Sequence, residues 1–63
     1  MYILFTDANV FNKSYPDTIS INDILSDNGY QQNVKYKLTQ YVGNTKTFDI
    51  PSLGIDFTIT WVD

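Results

Sequence analysis

The chain has no cysteine, histidine, arginine or glutamate, and each absence removes a class of function. Without cysteine there is no disulfide framework and no thiolate metal site. Without histidine the commonest metal ligand and the commonest general acid–base are gone. Any active site would have to be assembled from Asp, Lys, Tyr, Ser and Thr, with no glycine-rich loop to cradle a phosphate. A chain of 63 residues also has little volume for a ligand pocket, which usually needs about 300 Å³ or more. These absences point to a non-enzyme that uses no cofactor. Long apolar runs are missing too: nothing approaches the ~20 residues that span a bilayer. The opening "MYILFTDANVF" has no basic flank, and Asp7 interrupts it too early for a secretion signal. The expected setting is the cytoplasm of a host cell or the body of a virion, with no membrane partner.

All seven acidic residues are Asp and all four basic residues are Lys, for a net charge of −3. Asp and Asn favour turns and caps over helix interiors, so the chain cannot be mostly helical. The acidic balance argues against nucleic acid, whose binders carry a basic footprint. "KYK" (35–37) with Tyr41 has the makings of a stacking platform for single strands. However, alternation points Tyr36 away from Lys35 and Lys37, so a solvated strand face is the better reading.

What is present is aromatic: four Phe, five Tyr and one Trp. A domain this small buries only about 60 % of its unfolded surface. It therefore needs an aromatic core, an oligomer or a bound partner to hold together. "YILFT" (2–6) is a continuous apolar run, the mark of an interior strand covered on both faces. "DANVFNKSYPD" (7–17) reads as a loop with Val10 and Phe11 tucked inward, and "TISI" as a possible short strand. "DANVFN" begins like a calcium loop with Asp7 and Asn9. The match then fails at Phe11, at Asn12 and at Thr18, where a bidentate acid is required. In "SINDILSDNG" (20–29), Ser20 and Asp23 have capping-box spacing. Ile21, Ile24 and Leu25 form one stripe, and Gly29 stands where a left-handed residue ends a helix.

From residue 33 the period becomes two. Val34, Tyr36, Leu38, Gln40 and Val42 alternate with Asn33, Lys35, Lys37, Thr39 and Tyr41. Lys46, Phe48 and Ile50 share a face, as do Leu53, Ile55, Phe57, Ile59 and Trp61. The expectation is an α+β single domain over residues 1–63. It comprises a three-stranded antiparallel meander (33–62), an added N-terminal strand and one short helix on the core face. A two-residue Gly43-Asn44 turn would set Leu38 against Asp49 and so mix the faces. A Gly43–Thr45 loop or an equivalent bulge, pairing Leu38 with Ile50 and Gln40 with Phe48, keeps them apart. A "PSLG" turn (51–54) pairs Ile50 with Ile55 and Phe48 with Phe57. Trp61 then faces the core, which accounts for the only tryptophan lying so near the C-terminus.

This register sets Asp49 opposite Asp56 with Lys37 on the diagonal, either a weak metal or ligand site or two solvated carboxylates. The solvated reading is the simpler one. Opposite the core lie Thr39, Tyr41, Thr47, Thr58, Thr60 and Val62. That uncharged set suits β-propensity but also has interface composition, beside a C-terminal strand expected at the sheet edge. The reading is a small non-enzymatic protein-binding module that sterically occupies a partner, in the manner of inhibitors from phages and mobile elements. Homo-oligomerisation is expected as well. The Asn-, Ile-, Lys- and Tyr-rich, Arg-free composition of an AT-rich genome fits that source. The alternative is a structural subunit of a virion or other assembly, docking through its C-terminal strand.

Overall fold

The computed structural model describes residues 1–7 and 12–63. Val10, Phe11 and the middle of the calcium-loop motif lie outside the described residues. The elements are β1 (Tyr2–Asp7), β2 (Lys13–Pro16), α1 (Ile21–Asp27), β3 (Lys37–Val42), β4 (Thr45–Ile50) and β5 (Ile55–Val62). All five strands form one antiparallel sheet in the order β2-β1-β5-β4-β3. The fold is thus mostly β with one short helix. The β3–β4–β5 hairpins are part of this larger sheet, in place of the separate three-stranded meander expected over 33–62.

The core lies between one sheet face and α1. Ile3, Phe5, Tyr15, Phe48, Ile50, Phe57 and Ile59 close against Ile24 and Leu25 of the helix. Phe48 and Phe57 stack at 5.1 Å, Phe5 lies 5.7 Å from Phe57, and Tyr36 meets Phe48 edge-on at 5.5 Å. The helix starts as its punctuation predicts, with the Asp23 amide donating to Ser20 Oγ. It ends in a Schellman arrangement: Gly29 takes φ +89°. The Gly29 amide bonds the Ser26 carbonyl and the Tyr30 amide reaches back to that of Leu25.

Four local expectations are corrected. First, the segment 7–17 contains β2, and 18–21 forms no strand. Tyr15 is what places β2 in the sheet, since it pairs with Ile3 and buries its ring. Second, the strand expected from residue 33 begins only at Lys37. Asn33 has φ +64° and the Val34 amide closes a turn on Gln31, a backbone that cannot pleat.

Third, the two-residue Gly43-Asn44 turn does form, pairing Val42 with Thr45. Gly43 has φ +59°, while Asn44 stays at negative φ, the pattern of a type II′ turn. The face conflict is absorbed by an irregularity at Thr39, so that Leu38 pairs with Phe48 while Gln40 pairs with Thr47. Fourth, β5 is the central strand rather than an edge, paired with β1 along one side and β4 along the other. The closing hairpin follows the expected register, Ile50 with Ile55 and Phe48 with Phe57. β1 is also interior to the sheet, but only one of its faces is covered. Ile3 and Phe5 are buried, Leu4 is partly buried and Tyr2 exposed.

Candidate functional site

Residues directly opposite in an antiparallel ladder share a face, so the registers assemble the uncovered side of the sheet row by row. Pro16, Tyr2 and Val62 form the first row, and Ser14, Leu4, Thr60, Thr45 and Val42 the second. Thr6, Thr58, Thr47 and Gln40 form the third, and Asp56, Asp49 and Lys37 the last. Charge is confined to that last row. In the other three the polar atoms are hydroxyls, amides and backbone groups. Several hydroxyls are already engaged: Thr45 and Thr60 bond each other at 3.0 Å, and Thr6 donates to Asn12 Oδ1.

Of the six residues expected on this face, Thr47, Thr58, Thr60 and Val62 are here. Tyr41 is not. The irregularity at Thr39 reverses the alternation, so Tyr41 pairs with Lys46 on the core side of the sheet. Thr39 lies at the irregularity itself, its hydroxyl donating to the Thr47 carbonyl at 3.2 Å. Tyr2, Leu4, Thr6, Val42 and Thr45 join the face without having been singled out. Leu4 and Thr6 could have been found from the even–odd alternation of β1 once its neighbour was known.

Tyr41 belongs to a second cluster. The Lys46 ammonium sits 5.0 Å from the ring centroids of both Tyr41 and Trp61. Trp61 packs against the core while remaining partly exposed, so it forms the rim of the core instead of sealing it. Lys46 covers that rim with its aliphatic stem and holds its charge against the two ring faces.

Asp49 does stand opposite Asp56, and Lys37 lies directly across from Asp49 rather than on the diagonal. Among the described residues no third carboxylate joins them to form a metal-holding group. A cleft of 420 Å³ opens at the other side of the β4–β5 turn, larger than the chain length led one to expect. Asp7, Tyr30, Val34, Leu53 and Ile55 line it, among others. The Tyr30 hydroxyl donates to Asp7 Oδ2 at 2.7 Å. Burial, reinforced by that bond, pushes the phenol up to about 12, so Tyr30 meets the cleft as a neutral hydrogen-bond donor.

A polar cluster ties β2 to the end of α1. Lys13 and the Tyr15 hydroxyl both donate to Asp27 Oδ2, and Asn28 Nδ2 donates to the Tyr15 oxygen. The bonds from Lys13 and then Tyr15 hold the Asp27 carboxyl below its ordinary value. This is the one ion pair among the described residues, and its place under the helix end is structural. Among the described residues, no helix is long and apolar enough to cross a membrane. Comparison with protein-family models, curated proteins and solved structures finds no match to this chain.

Proposed function

We propose that this is a non-enzymatic protein-binding module whose uncovered sheet face docks on another protein and occupies it sterically. The observation that carries the reading is the one-sided sheet. α1 covers one face, while the other presents three uncharged rows of Tyr, Leu, Val and Thr across five strands. With strands about 4.8 Å apart and same-face residues about 6.8 Å apart, the rows cover roughly 400 Å². Interface centres are depleted in Lys, Glu and Asp, and these rows contain none. The Asp49/Asp56 pair is better read as the solvated polar margin of this face than as a metal site, since its nearest cross-strand neighbour is a lysine.

The inhibitor-like mode, in the style of small phage proteins, is supported by size and composition. Docking by the backbone of the C-terminal strand is not, because both sides of β5 are occupied. The test is the double variant Thr58→Lys/Thr60→Lys, which puts two charges at the centre of the face. Sedimentation of the pure chain reads self-association, and co-purification from the source cells reads a heterologous partner. The variant should keep a melting temperature near that of the unaltered chain and lose the complex in whichever assay shows one. Equal complex formation by both proteins would eliminate this face.

A further inference from the structure

The strand β3 lies at one end of the sheet, bonded to β4 alone, and all six of its residues are exposed. Leu38 is 50 %, Tyr41 61 % and Val42 62 % exposed, so half of the large exposed hydrophobics among the described residues lie on this one strand. Three of the four lysines surround it: Lys35 just before it, Lys37 at its start and Lys46 across from Tyr41. Among the described residues none of these three makes an ion pair, whereas the fourth, Lys13, is bound to Asp27 at the far end of the sheet. Three of the four lysines of an acidic protein thus lie on or beside one open strand, Lys37 across the ladder from Asp49 and Lys46 over the Tyr41 and Trp61 rings.

We propose that the β3 edge takes up an extended, acidic segment of a partner protein as a sixth strand. The N–H and C=O groups of β3 that point away from β4 supply the ladder. Alternation divides the side chains of the incoming strand. One set would face Lys37 and Gln40 and accept the lysine charge, and the other would lie over Leu38 and Tyr41. Charge selects the occupant. Pairing β3 with β3 of a second copy would bring Lys35 and Lys37 of both copies to one seam, and edge lysines and bulges are the usual defence against such self-pairing. An aspartate-bearing strand meets the opposite sign. The other edge, β2, is a poor alternative, being four residues long and ending in Pro16, which lacks an amide. This inference rests on the backbone edge of β3 and not on the uncovered face, with which it shares Lys37, Gln40 and Val42.

The probe is a blocked hexapeptide of alternating aspartate and valine, titrated into the ¹⁵N-labelled full chain. The control peptide has lysine in place of aspartate. Amide shifts should concentrate on residues 37–42, with the lysine peptide without effect. The exposed double variant Lys35→Glu/Lys37→Glu should bind the acidic peptide about tenfold more weakly, while its melting temperature stays near that of the unaltered chain. Shifts centred on another surface would overturn the proposal. So would equal binding of both peptides, no binding of either, or concentration-dependent dimerisation through β3 with no response to peptide.

Discussion

Phe57 shows how single residues set this fold. It is buried between Phe48, Phe5 and Tyr36, while its neighbours Asp56 and Thr58 face the other way, so one position decides which side of β5 is interior. The polar residues have narrower roles, and two yield measurable consequences. Tyr30 has its proton held by burial and by Asp7, its pKa rising from the ordinary 10.0 to about 12. A raised folded value means the stabilisation is complete below pH 10 and is lost as pH climbs through the folded value. Melting temperatures should therefore stay level into mildly alkaline solution and fall between about pH 10 and 12. Tyr30→Phe should start about 1 kcal/mol less stable at neutral pH and show a shallower alkaline decline. Equal alkaline slopes in the two proteins would refute the assignment. Asp56 faces Asp49 across the ladder with Lys37 beyond. Asp56→Asn relieves a like-charge pair and should leave unfolding free energy unchanged or slightly raised. A loss beyond about 1 kcal/mol would reveal a partner for the carboxylate.

At the level of elements, legibility followed the strength of the local code. The helix could be read from Ser20, Asp23, the Ile21/Ile24/Leu25 stripe and Gly29, since capping and periodicity are sequence-local. The β4–β5 register was legible because Ile50/Ile55 and Phe48/Phe57 match only one way. β2 was hidden because four residues ending in Pro16 carry turn chemistry, and their strand state rests on the distant partner Ile3. The hairpin sequence points to a longer loop at Gly43–Thr45 or an equivalent bulge, with Leu38 against Ile50, whereas the reversal sits at Thr39 and pairs Leu38 with Phe48. That irregularity, beside a strand start where Tyr36 packs on Phe48 and Phe57, moves Tyr41 off the expected face. The centrality of β5 was out of reach because which strands flank it depends on contacts sixty residues apart, such as Tyr2 with Val62. That centrality sets a prediction. Deleting residues 60–63 removes ladder pairs to β1, the Thr45–Thr60 pair to β4 and the Trp61 side chain. Losing three β1 pairs and one β4 pair from the central strand together with a half-buried Trp removes much of what so small a domain holds. Cooperative thermal unfolding should vanish, and a sharp near-native transition in the truncated chain would contradict this.

Across the whole molecule, one covered face, one face charged only in its last row and one open edge at β3 follow from a single arrangement, β5 at the middle of five strands. α1 is long enough to cover one side only, so the second side is left with the Thr- and Val-rich rows on which the binding proposal rests. Four of the seven Asp lie on α1 or beside the β4–β5 turn, and three of the four lysines on or beside β3. The functional reading holds only if β5 is the spine of the sheet and β3 its open margin. Residue-resolved hydrogen exchange on the free full chain measures this directly. Amides of residues 57–61, and their β1 partners Ile3 and Phe5, should be the slowest, exchanging only through global unfolding, while outward-pointing amides of β3 exchange fastest among the strands. Rapid exchange along 57–61, or protection of β3 equal to that of β5, would contradict the account.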